Sequence, residues 1–218
     1  MWIAELLPLS ATLFSFLYGV NKFFKKGKPL FLQSITMAMG SHALGSIYHL
    51  CQTLTTETVL EGFTPAYLGR IGFFLFFIAA SYGQMDRIVD DGSDKIRPAR
   101  YISLIAPLCV LLLYLPNGLM DDLPTATKVT YLLVWLPAVF SVYYNLKHAI
   151  LPDLDFGFIK AIKPYNTLAV CLGMAELLCL TAWSYLYNTQ LVLSSVVFAI
   201  LCVALMVAAK KGAEQWTI

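Results

Sequence analysis

The sequence predicts an all-α, polytopic integral membrane protein: a bundle of seven transmembrane helices, with the N-terminus outside and the C-terminus cytoplasmic. Three observations predict it. Hydrophobic residues make up 59% of the 218 and charged residues only 13%, with a mean hydropathy of +0.71, where an ordinary soluble domain has about 45–50% and about 25%. The charges are also segregated, leaving apolar runs of about 20 residues, the length of helix that crosses a hydrocarbon core of about 30 Å. Finally, the basic residues fall in alternate connections.

Seven runs qualify: 3–24, 30–51, 66–86, 100–119, 126–146, 164–186 and 190–209. They use almost the whole chain in one membrane domain, 1–218, and leave no room for a soluble catalytic domain. The first run opens "MWIAELLPLS", with Glu5 where a secretory signal would carry Lys or Arg, and its apolar stretch continues to Phe24. A retained first helix is therefore expected. The second and sixth runs each begin at a Lys-Pro step, Lys28-Pro29 and Lys163-Pro164. Pro107 and Pro137 are the breakers inside the fourth and fifth. "VDDGSDKIRP", "PNGLMDDLPT" and "LPDLDFGFIKAIKP" carry the Gly, Pro and Asp of turns. Cys51, Cys109, Cys171, Cys179 and Cys202 all fall in runs, with no C-x-x-C pair, so buried packing is expected of each.

Orientation follows from the connections. All but two of the 15 basic residues lie in the first, third and fifth connections and the tail. Only Arg70 and Lys128 lie toward the opposite side, where Glu57, Glu61, Asp121 and Asp122 sit. Short basic loops stay cytoplasmic, which places the chain in a plasma or inner membrane with its N-terminus outside. The net charge of +2 then follows from anchoring and needs no nucleic-acid partner. "FSFLYGVNK" at 14–22 and "FSVYYNLK" at 140–147 are alike, which suggests a three-one-three division into parallel halves. Such repeats occur in transporters, where the substrate site lies near the midplane between halves.

The candidate site residues lie on the second and sixth runs, with two more on the first and third. His42 and His49 are seven apart and so fall within about 20° on one helical face, together with Ala38, Met39, Gly45, Ser46 and Thr53. Leu44, Ile47 and Cys51 face away. A small, polar face of this kind packs against neighbouring helices in a membrane. About 10.5 Å of axial rise separates the histidines, too far for one zinc ion, so they are expected to serve two tiers. At the midplane, His42 is level with Glu176, which shares a face with Tyr165, Trp183 and Tyr187. A carboxylate there costs about 2.5–3.5 kcal/mol and faces protein or water, so Glu176, His42, Trp183 and Tyr187 form the expected ligand or proton site. Nearer the outside, Glu5, His49 and Arg70 form a second polar tier.

"MDRIV" at 85–89 resembles the Asp-Arg-Tyr corner of rhodopsin-like receptors, but the last run has no Asn-Pro-x-x-Tyr and the sixth no Cys-Trp-x-Pro. A retinal protein needs a lysine within its last helix, and Lys210 and Lys211 come only at the end. "GSIYH" at 45–49 is similar to the Ser-His helix of intramembrane zinc hydrolases such as the alkaline ceramidases, which use a further His-x-x-x-His near the C-terminus. Here the last histidine is His148, assigned to a cytoplasmic loop. The three-one-three topology is similar to that of SWEET-type sugar transporters, without their proline-centred repeat signatures. No family follows from these stretches.

Three functions remain: a small-solute or proton-coupled transporter, a seven-helix ligand sensor acting through a cytoplasmic protein partner, and an intramembrane lipid enzyme. The first fits a polar midplane and the glycines at 40, 45 and 173, which allow close helix movement. The third is weakest, because no Ser or Cys nucleophile with paired His and acid stands out. No catalytic residue, metal or cofactor is assigned. The expected partners are the bilayer and a small molecule.

Overall fold

The computed structural model describes residues 2–55, 62–86, 90, 92–119, 124–151, 158–184 and 188–216. Among them all regular structure is helical: α1 (Trp2–Phe23), α2 (Leu30–Thr55), α3 (Pro65–Ala80), α4 (Arg97–Ser103), α5 (Ile105–Leu119), α6 (Thr125–Ile150), α7 (Phe158–Ser184) and α8 (Asn188–Trp216). α3 passes into one π-helical turn, Ser81–Asp86. α4 and α5 are one apolar rod broken at Leu104. Pro107 explains the break, since its ring lacks the N–H that would bond the Ser103 carbonyl and clashes with it. The Ser103 hydroxyl bonds back to Ala99 O at 2.5 Å, which loosens the same turn.

Five stretches are long and apolar enough to cross a membrane: Pro65–Gly83, Arg97–Leu115, Thr125–Ile150, Lys160–Thr181 and Thr189–Gln215. This is the architecture of a helical membrane protein. α1 and α2 match these in length, at 22 and 26 residues, but carry more polar side chains. Those side chains turn inward: Thr12 and Ser15 on α1, and Thr36 and His42 on α2, are all buried. Polarity that packs against other helices is not exposed to lipid, so it lowers a helix's hydropathy without barring it from a bilayer.

The packing pairs close a ring in the order α1, α2, α3, α6, α7, α8 and back to α1, while α4 and α5 pack outside against α6 and α7. Trp135 on α6 donates its indole N–H to Val110 O on α5 at 3.1 Å, tying the outer rod to the ring. The interior is aromatic and aliphatic, with Phe73, Phe74 and Phe198 fully buried among Ile35, Met39 and Leu172. The outer surface is apolar: Leu44, Leu112, Leu193 and Ile200 are all exposed, as lipid-facing side chains are. α2 and α3 touch backbone to backbone. A Cβ on Gly45 would lie 2.6 Å from Ala66 O, and one on Gly69 2.6 Å from Ser41 O.

Several expectations need correcting. Helix α7 begins at Phe158 and carries Pro164 inside it, instead of starting at the proline. Packing holds its first turn: Ile162 is buried, and a Cβ on Gly212 of α8 would meet Ala161 O at 2.9 Å. α6 runs to Ile150 and α8 to Trp216, past the apolar runs that predicted them. Lys147 and His148, assigned to a cytoplasmic loop, are buried on the last turn of α6. Of the cysteines, Cys179 and Cys202 are buried, whereas Cys51, Cys109 and Cys171 lie on the exposed surface. An apolar run does not reveal which of its faces meets lipid. Parts of the three turn-rich connections, with Glu57, Glu61, Arg87, Asp121 and Asp122, lie outside the described residues.

Candidate functional site

The small-residue face of α2 brings His42 into the middle of the bundle. There its ring stacks on Phe198 of α8, with centroids 4.9 Å apart, and meets the edge of Phe73 of α3 at 5.4 Å. Both ring nitrogens have polar neighbours. Nε2 lies 3.0 Å from Oε2 of Glu176 on α7, and Nδ1 lies 3.3 Å from Oγ of Ser46, one turn along α2. An ionised carboxylate only accepts, so against ionised Glu176 it is Nε2 that must donate. In the neutral ring Nδ1 then accepts from the Ser46 hydroxyl.

Glu176 has a second partner. Its Oε1 lies 3.1 Å from Nε of Arg70 on α3, an ion-pair distance without the alignment of a hydrogen bond. Glu176 and His42 are each 2% exposed, and Arg70 18%. Removing a carboxylate from water costs several kcal/mol. Here the cost is offset by a guanidinium and an imidazole that reach the same carboxylate from two other helices. The guanidinium also lies 5.8 Å from the ring of Tyr67.

Next to this cluster, His49 Nε2 lies 3.7 Å from Glu5 Oε1, and Thr53 Oγ1 is 3.4 Å from the same nitrogen. His42, Glu176, Arg70, His49 and Glu5 line one pocket, with Ser46, Cys179 and Ser195. Its volume is about 50 Å³, room for a few water molecules at about 10–15 Å³ each. The expected tiers therefore share a single cavity. Arg70 joins them, because its long side chain reaches from α3 to the Glu176 carboxylate. Tyr165, also expected on the Glu176 face, is buried. The side chain of Trp183 and all of Tyr187 lie outside the described residues. Among the described residues no group of three or more His, Cys, Asp or Glu is placed to hold a metal ion.

No family model, no curated protein and no solved structure matches this chain.

At the opposite end of the bundle is a polar network that the sequence reading missed. His148 Nε2 lies 3.0 Å from Asp86 Oδ1, and Lys147 pairs with Asp86 and, at 3.1 Å, with Asp90. Arg100 on α4 also pairs with Asp90, through Nε at 3.0 Å and through Nη2. The Arg100 hydrogen bonds, helped by Lys147 and the Gly92 N–H, hold the Asp90 carboxyl well below the ordinary carboxylate range. The network joins the π turn, α4 and α6. The adjoining Ser81 donates to Asn145 Oδ1 at 3.0 Å, and Asn145 donates to Ser141 O at 2.8 Å. One signal for it was available. The buried stripe of α6 runs through Ala138, Ser141, Asn145 and His148, a three-and-four spacing that continues past the end of the apolar run at 146.

Proposed function

We propose that this chain is a transporter of a small polar solute, coupled to protons through the His42–Glu176–Arg70 cluster. One observation carries the reading: a buried carboxylate shared by an imidazole and a guanidinium from two other helices, facing a water-sized pocket. A guanidinium keeps its charge at every working pH, so Arg70 is a fixed counter-charge to Glu176. With His42 neutral the cluster has no net charge, and a proton on His42 makes it positive. Proton and solute then sense each other through the same carboxylate. The roles are His42 as proton carrier, Glu176 as counter-charge, Arg70 as anchor, and Glu5 and His49 as the approach to the pocket.

The same reading takes all seven runs as spans of a plasma or inner membrane. It sets the N-terminus and the Glu5–His49 pair outside, with the basic connections and the Asp86–Lys147 network in the cytoplasm. The three-one-three division is supported by the ring, in which the first three and last three helices stand side by side and the fourth rod lies outside. Trp183, near the end of α7, and Tyr187, outside the described residues, remain candidates.

The test is flux in proteoliposomes holding an internal pH dye, with a panel of small amino acids, carboxylates and sugars. Solute-dependent proton movement, lost in Glu176→Gln and in His42→Gln, is expected. Binding of a panel solute without flux of solute or proton would refute transport. It would favour the sensor reading, which the ion network at the far end supports as an element able to report to a cytoplasmic protein. The Ser46–His42 contact supports a lipid-enzyme reading more weakly, and turnover of lipid in micelles would reveal it.

A further inference from the structure

A second concavity opens at the basic end of the bundle, where α1 ends, the chain turns into α2 and α8 comes alongside. It is lined by Lys22, Lys25 and Lys28 from the first turn region and by Lys210 from α8, above Phe23, Leu32 and Ala213. Phe23 and Leu32 are buried, so the floor is apolar and fixed. The turn is held by Lys28 N–H donating to Lys25 O at 3.2 Å, with Gly27 at a φ of +84°. The lining includes one carboxylate, Glu214, 3.7 Å from Lys210. Four lysines against one carboxylate leave a space of about 420 Å³ with an excess of positive charge that an anion would offset. The shape of the site also goes beyond what orientation in a membrane requires. Basic loops set orientation by charge alone, whereas here two segments far apart in the sequence bring their lysines to one hollow, and Lys26 of the same turn is not part of its lining.

We propose that this groove binds a phosphate group, either on the headgroup of an anionic phospholipid or as a free phosphate. A phosphate offers several acceptor oxygens and up to two charges, which suits a cluster of lysine point charges. Basic pockets between membrane helices on the cytoplasmic side take phospholipid headgroups in this way. The apolar floor suits the glycerol and upper acyl region of such a lipid. The site stands apart from the His42–Glu176 pocket, and the inference does not rest on the transport reading.

The experiment uses the purified full-length protein in two arms. In the first, thermal unfolding in neutral detergent is followed against sodium phosphate, with sodium chloride at matched ionic strength. In the second, native mass spectrometry counts phosphatidylglycerol retained from phosphatidylcholine nanodiscs containing it. The variants are Lys25→Gln/Lys210→Gln and, as the control, Lys26→Gln, all at exposed side chains. The double variant is expected to lose affinity by about tenfold or more in whichever arm shows binding, while Lys26→Gln stays within about twofold. Binding only in the lipid arm identifies a headgroup site, and binding in the phosphate arm identifies a free-phosphate site. No binding in either arm would overturn the proposal. So would an equal loss in Lys26→Gln, which would mark diffuse surface charge.

Discussion

The Arg70–Glu176 pair makes a quantitative prediction. At the observed 3.1 Å and an effective dielectric of about 20, the Coulomb attraction is about 5 kcal/mol. The partial exposure of Arg70 reduces what is realised. Taking away one partner strands the other, at a cost of about 3–5 kcal/mol for a buried pair. Arg70→Met should therefore destabilise the protein by about 3 kcal/mol, even though His42 still holds the other carboxylate oxygen. Glu176→Met should cost a similar amount, by leaving a guanidinium and an imidazole face to face. The double variant removes both charges and should cost about 4 kcal/mol where additivity would give about 6, a coupling energy of about 2 kcal/mol. The assay is reversible unfolding in mixed micelles, monitored by tryptophan fluorescence for wild type, both singles and the double. Additive losses, with a coupling below about 0.5 kcal/mol, would show that the two groups do not support each other and would refute the cluster.

Three further outcomes follow from other contacts. Gly69→Ala would set a methyl 2.6 Å from Ser41 O and should cost about 1–3 kcal/mol, seen as a lower Tm; an unchanged Tm would mean that α2 and α3 are not in backbone contact. Lys147→Met leaves Asp86 without its ammonium partner and Asp90 with Arg100 alone, and should destabilise by about 3 kcal/mol in chemical denaturation; a neutral result would refute the network. The Asp90 carboxyl is held below its ordinary value in the folded protein, so its contribution is complete above about pH 4 and is lost as pH falls through the folded-state value. Asp90→Asn should lower stability across the range above about pH 4 and so flatten the acid limb of a stability–pH curve; an unaltered acid limb would refute it.

The helices were legible because a bilayer imposes one strong signal, a run of about 20 apolar residues. The ends were less so. Pro164 looks like a start but sits within α7, since contact between Ala161 and Gly212 holds the turn before it. The His42–Glu176 juxtaposition could be suspected from equal depth and inward faces. The convergence of the outer groups on the same pocket could not, because it depends on the reach of Arg70 from α3 and on which helices are neighbours. His148 and Lys147 were hidden by their own chemistry: a polar side chain at the end of an apolar run looks like a loop anchor whether it meets water or a half-buried aspartate.

The glycine contact between α2 and α3 bears on how the bundle can move. With Gly45 and Gly69 backbone to backbone, no side-chain layer separates the two helices to act as a bearing, and they travel as a single plate. That plate carries both His42 and Arg70, whereas the carboxylate they share rides on α7. A motion that parted α7 from the plate would therefore draw both partners away from the carboxylate on the same side, His42 and Arg70 moving as one body.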